Sequence, residues 1–490
     1  MVHSKSIVSP KVRWGLIIVA VILLTIPSFL TEHGGAEGET LGNLLPIWSI
    51  IPFVGMLLSI ALFPLFKPDW WEHNLFNVAI AWSLVFLIPF AIGFGPSDAG
   101  HAFFHTVALD YLPFIVLLLG LFAVSGGIVL KGSLAGSTKV NLILLIVGII
   151  IASWVGTTGA SMLMIRPILK ANAWREKKVH VVVFFIFLVS NIGGCLTPLG
   201  DPPLFLGFLR GVPFFWTMRL APILLFNVVI LLIAFFFIDR SLLKKELAAG
   251  RKPIVDEPQE KLHVEGLHNF IFLAIIVCAV ILSGALTDTF TNAAGEATGI
   301  PLPYGLVLPG NNAVQMILIL IAGFLSIKTT KKELHEANNF SWAPIQEVGC
   351  LFIGIFITMI PALEILNARG GELGLTKPWQ FFWATGILSS FLDNAPTYLV
   401  FMTTAGSLNT PGLATAVGSI AAPLLIAISA GAVFMGANTY IGNAPNFMVR
   451  SIAEENGVKM PSFFGYMWWS LRFLIPVFIL DTIVFFVILQ

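Results

Sequence analysis

Two acids, Asp201 and Asp393, stand in apolar surroundings. Asp201 lies in SNIGGCLTPLGDPPLF and Asp393 in SSFLDNAPTYLV. Hydrocarbon does not solvate charge, so an acid at membrane depth is expensive and by default functional. Each acid lies at a chain break, where free carbonyls and half-helix ends can join a carboxylate in holding a cation. Such a carboxylate can bind sodium or take a proton, which is the competition that cation/proton exchange needs. Both are therefore candidate sodium ligands. The alternative role for each is helix capping, in which the side chain accepts a backbone N–H. The two roles are compatible.

Thr157, Thr158, Thr197, Asn394, Thr439 and Asn443 add neutral oxygens of the kind hard cations prefer. Small polar residues also let helices pack closely, so each Thr has a structural reading too. Asn191 and Asn438 carry amides that need a partner inside a membrane. Arg166, in MLMIRPIL, can neutralise a carboxylate, bind an anionic substrate, or snorkel to the interface beside Lys170. Glu364, in PALEIL, reads as an interfacial residue, with a second proton site as the alternative. Trp70-Trp71 and Trp468-Trp469 read as aromatic-belt anchors. The three cysteines have no CxxC or metal-ligand spacing and read as buried thiols.

These residues must be positioned inside a bilayer. Of 490 residues, 57% are hydrophobic and 11% charged, against ~25% charged in soluble domains. Runs such as Trp14–Leu30, Leu220–Ile238 and Leu471–Leu489 are near spanning length. The expected fold is an all-α polytopic membrane protein. Lys5, Lys11 and Arg13 precede the first run, which reads as a span rather than a signal peptide because no A-x-A-like site follows.

Lys and Arg concentrate in cytoplasmic loops. The stretches Thr31–Asn43, Ile92–Thr106 and Asp288–Gly310 have none and read as outside, which puts the N-terminus in the cytoplasm. Lys131 and Lys139, then Lys170, Arg175, Lys177 and Lys178, all read as inside. Val140–Leu169 between them must enter and return on one side, as a re-entrant hairpin broken at Gly156–Gly159. Trp379–Ala405, broken at Asp393–Pro396, reads as a second hairpin entering from outside, with Arg369 and Lys377 a weak exception to the charge pattern. The total is about eleven spans plus two hairpins. The expected division is 1–107 as N-terminal scaffold spans and 108–238 as a first repeat, with hairpin 140–169 and broken helix 179–209. A solvated cytoplasmic linker follows at 239–266, then scaffold spans at 267–343. A second repeat, 344–490, carries hairpin 379–405 and broken helix 419–453.

The two halves align. Gly194 on Gly436 gives an offset of 436 − 194 = 242, which pairs Thr197 with Thr439, Gly200 with Gly442, Asp201 with Asn443 and Pro203 with Pro445. The hairpin tips align as Thr157 on Asp393, 393 − 157 = 236, and LGLF at Leu119 aligns with IGIF at Ile353, 353 − 119 = 234. The charge flanks place the hairpin mouths on opposite sides. The repeat is therefore inverted, a transporter architecture with its site near the midplane.

SNIGGCLTPLGDPP, SSFLDNAPT and GANTYIGNAPNFMVRSIAEENG resemble signature segments of the ion transporter superfamily, over roughly Tyr111–Leu209 and Trp342–Met467. The nearest resemblance is to its NhaD-like sodium/proton antiporter and citrate-transporter branches. The resemblance implies a homodimer of scaffold and transport domains, with ions held where hairpin tips meet broken spans and alternating access by an elevator-like movement. Two departures stand out. The antiporters carry acids at the first hairpin tip, where this chain has Thr157-Thr158. The dicarboxylate transporters carry Ser-Asn-Thr at both tips, where this chain has Thr157-Thr158-Gly159 and Asp393-Asn394-Ala395.

The sequence thus points to a secondary transporter without enzymatic activity. Two acids favour sodium/proton antiport, and the alternative is sodium- or proton-coupled symport of citrate or another carboxylate. A channel lacks the continuous polar pore it needs. An intramembrane aspartyl protease would show Gly-x-Gly before its acid, where this chain has Pro-Leu-Gly. No nucleotide-binding loop or nucleic-acid motif is present in the sequence. The expected cofactor is none beyond sodium or a proton, and the expected setting is a bacterial inner membrane.

Overall fold

Lipid offers no hydrogen bonds to a backbone, so a chain this apolar must satisfy its peptide groups within helices. The protein, seen as a computed structural model, follows that rule. Residues 41–132, 134–251 and 263–489 are described, and they are mostly helical, with three two-stranded ribbons. The expected first span at 14–30 and its basic flank lie outside the described residues. Among the described residues, nine helical stretches are long and apolar enough to cross a membrane. The chain is an all-α polytopic membrane protein.

The first broken hairpin is α1 (Thr138–Val155) and α2 (Thr157–Ala171). Ser137 caps α1 by accepting from the Val140 N–H. The turn between the helices is Gly156 at φ +82°, which a residue with a Cβ adopts only at a cost. The two ends meet again at the mouth. Asn141 and Asn172 exchange amide hydrogen bonds of 3.0 and 2.7 Å, and Gly136 N–H donates to the Ala171 carbonyl at 2.7 Å.

The first broken span follows as α3 (Val179–Leu188), an irregular stretch 189–201, and α4 (Pro202–Leu209). Next comes α5 (Ala221–Ala248). The second half repeats the pattern with α6 (Pro378–Phe391) and α7 (Asn394–Ser407), whose legs touch at Phe381 and Phe401. Then come α8 (Ala422–Met435), a break at 436–443, and α9 (Ala444–Glu455).

The two breaks share hydrogen bonds residue for residue. The Thr197 hydroxyl donates to the Ser153 carbonyl and accepts from Leu199 N–H. The Thr439 hydroxyl donates to the Ser390 carbonyl and accepts from Ile441 N–H. In each break the chain crosses itself at two glycines. A Cβ on Gly200 would lie 2.0 Å from the Gly194 carbonyl, and one on Gly442 would lie 2.5 Å from the Gly436 carbonyl. These contacts correct the hairpin alignment by one residue. Ser153 corresponds to Ser390, so Thr157 corresponds to Asn394, at 394 − 157 = 237. Gly156 then matches Asp393.

Two expectations fail in the packing. The 239–266 segment does not begin as a solvated linker, because α5 continues to Ala248 with Asp239 and Glu246 buried. Arg175, itself buried, holds both. Nη1 is 2.6 Å from Asp239 Oδ1, and Nε is 3.0 Å from Glu246 Oε2. His180 Nε2 lies 2.7 Å from the same Asp239 oxygen, and Glu246 Oε1 accepts from the N–H groups of Glu176 and Lys177. A buried arginine needs paired acids, and the end of α5 supplies them. Trp71 is buried against Phe63 and is no belt residue. Arg369, the exception to the charge pattern, is tied down by donating to the carbonyls of Gly42 and Leu45.

Candidate functional site

Asp201 immediately precedes α4, yet its side chain makes no cap bond. The reason is local. Pro202 and Pro203 follow, so no N–H exists at the first two helical positions, and the third, Leu204 N–H, donates to the Asp201 backbone carbonyl at 3.0 Å. The freed carboxylate is buried and turns to the centre of the protein. Its Oδ1 accepts from Thr157 Oγ1 at 2.9 Å and from Asn443 Nδ2 at 3.3 Å. Its Oδ2 accepts from Asn394 Nδ2 at 2.9 Å. Those donors are the first residue of α2, the residue before α9 and the first residue of α7. One carboxylate therefore joins both hairpin tips to both broken spans.

The network extends through amides. Asn443 Nδ2 also reaches Asn191 Oδ1 at 3.1 Å and the Ser190 carbonyl at 3.2 Å. Asn191 Nδ2 donates to Asn446 Oδ1 at 2.7 Å, and Asn446 Nδ2 donates to the carbonyls of Gly436 and Thr439. Behind Asn394, the Ser389 hydroxyl lies 2.7 Å from Asn394 Oδ1 and 2.6 Å from the Ala432 carbonyl. Each irregular backbone stretch is thus tied to buried side chains, as chain breaks inside a membrane require.

Four helices, α2, α4, α7 and α9, begin at this cluster. Their N-termini carry partial positive charge that favours an anion. Every side-chain donor on Asp201 is neutral. An amide presents nitrogen or oxygen according to its rotation, so Asn394 and Asn443 can offer carbonyl oxygens to a cation in place of N–H. The centre suits a small cation or proton on Asp201, and the helix ends suit an anion beside it.

The other sequence candidates are placed differently. Asp393 caps α7 by accepting from Ala395 N–H at 3.1 Å, and it is near enough to Asp201 for their charges to interact. Thr197 and Thr439 hold the breaks to the hairpin legs, as described above. Thr158 lines a narrow cavity of about 70 Å³ beside Leu121 and Phe205. Asn438 Nδ2 donates to Ser390 Oγ at 2.9 Å. Its Oδ1 is buried without a partner among the described residues. The residue lines a cavity of about 330 Å³ beside Trp383 and Trp468. Arg166 pairs with no carboxylate of the centre and lines a different cavity.

Sequence reasoning did not find Ser389 or Asn446, which look like ordinary helix polar residues until their partners are known. It also missed Asp481, an acid in the last apolar run. Asp481 is buried with both carboxylate oxygens 2.9 Å from Asn227 Nδ2. Glu364, expected at the interface, lines a polar cavity of about 500 Å³ with Asp98, His101 and His105, where Arg210 pairs with Asp110 at 2.9 Å.

No curated protein matches the chain. The sequence profile of a family described as "Putative citrate transport" matches residues 42–486, which include both hairpins and both broken spans. The chain belongs to that citrate-transport family.

Proposed function

We propose that this protein is a cation-coupled secondary transporter that carries citrate or a similar small carboxylate, with Asp201 exchanging the coupling sodium ion or proton. Family membership supports transport of a carboxylate. The observation that carries the mechanism is the convergence of four helix N-termini on Asp201 through Thr157, Asn394 and Asn443. Half-helix N-termini favour carboxylates, and a buried acid among them favours a cation, so cargo and coupling ion stabilise each other there. Alternating access follows from the same bonds. Opening the centre along one hairpin breaks the Thr157 contact, and opening it along the other breaks the Asn394 contact. Cation binding at Asp201 replaces those donors and so biases which arrangement is populated. On this reading the hairpins open to opposite faces, the N-terminus is cytoplasmic and the protein works as a homodimer.

Sodium/proton antiport is the second reading. It is favoured by the absence of any cationic side chain on Asp201 among the described residues. Reconstituted vesicles with an internal pH dye separate the two. Citrate uptake driven by a sodium or proton gradient supports symport. Proton movement on adding sodium or lithium without citrate supports antiport. Neither response overturns both.

A further inference from the structure

The mouth of the first hairpin opens on a second cavity, separate from the Asp201 centre. It encloses about 550 Å³, within the ~300–1,000 Å³ usual for small-molecule sites. Lys131, Arg166, Lys170 and Lys178 line it, together with Asn338 and Asn456, and among the described residues its lining contains no acid. Basic residues near a hairpin mouth often serve topology alone and then need no ligand. Two observations go beyond that role. First, Arg166 Nη1 is enclosed without a hydrogen-bond partner among the described residues. An enclosed N–H that has lost water and gained nothing is costly. Second, four cationic residues line one concavity, which concentrates their field on whatever occupies it.

These cations also have protein partners, Lys170 among them. Lys131 pairs with Glu265 at 2.8 Å, but both side chains are over a third exposed, so the pair is a weak one. Lys178 Nζ donates to the Ala173 carbonyl at 3.4 Å, and Glu246 acts on it through space. Glu455 acts on Arg166 through space. Arg166 and Lys170 are four residues apart on α2 and share a face.

We propose that this cavity binds a multivalent oxyanion, and, resting on the function proposed above, that the oxyanion is the carboxylate cargo gathered at the hairpin mouth. Arg166 and Lys170 come from α2, whereas Lys131 and Asn338 come from outside the hairpin. A bound anion therefore bridges hairpin and surroundings.

The test uses citrate as probe on the purified full-length protein in lipid-free neutral detergent. Equilibrium binding and citrate-induced thermal stabilisation are measured for wild type, Arg166→Gln and the double variant Lys170→Gln with Lys178→Gln. Each variant is expected to weaken citrate binding about tenfold or more, and wild-type binding should fall steeply with added salt. If Arg166→Gln fails to fold, Arg166→Lys keeps the charge and loses the forked donor, and an intermediate loss is expected. Unchanged binding in the variants, or no citrate binding by wild type, overturns the proposal. A lipid phosphate shares the chemistry, so stabilisation by phosphatidylglycerol is measured in parallel. Variants that lose the lipid effect and keep citrate binding overturn the cargo assignment. Citrate flux in vesicles is read separately. Wild type that fails to move citrate, with citrate binding still lost in Arg166→Gln, defeats the transport reading and leaves this site standing.

Discussion

Asn394 Nδ2 donates to Asp201 Oδ2 at 2.9 Å across 193 residues of sequence, and so fastens the second hairpin tip to the break of the first half. Thr157 fastens the first tip to the other oxygen of the same carboxylate. Neither tip can leave the centre without exposing a buried, unpaired group, which costs ~1–3 kcal/mol, more for a charge. On the proposed function, a coupling ion that satisfies Asp201 in their place removes that penalty.

Asp201→Asn is expected to reduce transport by more than about tenfold, because the charge that attracts the cation is gone from a low-dielectric site. The fold also weakens. An amide has one acceptor oxygen where three donors converge, so a loss of about 1–3 kcal/mol is expected. Initial-rate flux and thermal unfolding in detergent check both. Wild-type flux with an unchanged pH profile would make Asp201 structural.

Asp393→Asn should keep flux within about twofold of wild type, since Asn caps a helix as well as Asp. Asp393→Ala removes the bond to Ala395 N–H and should cost about 1 kcal/mol. The same two measurements apply. Lost flux with an intact melting curve in Asp393→Asn would give this acid a share in ion coupling.

Gly200→Ala and Gly442→Ala each force a Cβ into a carbonyl at the self-crossing of a break. Each should cost at least about 1–3 kcal/mol and abolish transport. Gly93→Ala is the control, because nothing lies within 4 Å of its added Cβ. It should be neutral or stabilise its helix by about 0.5–1 kcal/mol. Equal melting of all three variants would show that the crossings tolerate rearrangement.

Arg175→Ala leaves Asp239 and Glu246 buried without their cation and should destabilise by about 3–5 kcal/mol. Adding Asp239→Asn and Glu246→Gln should recover part of that loss, because neutral amides are cheaper to bury than unpaired charges. Melting of the single and triple variants decides the matter. No recovery would place the cost in lost packing of the guanidinium.

The sequence by itself determined the chain breaks, the repeat and Asp201. Each of these signals a local violation of what lipid tolerates: Gly and Pro inside apolar runs, and an acid with no solvent. Even the difference between the two acids is local, because Pro203 lacks the N–H that Ala395 offers. Only the tertiary structure decided which side chains meet. Asn443 reaches Asp201 across 242 residues and Asn191 reaches Asn446 across 255. Arg175 finds Asp239 and Glu246 at the end of a helix read as the start of a linker, while Arg166 turns to a basic cavity. Those pairings depend on how the hairpins dock. Docking is set by apolar surfaces that look alike along the chain, so polar partners become visible only once those surfaces have packed.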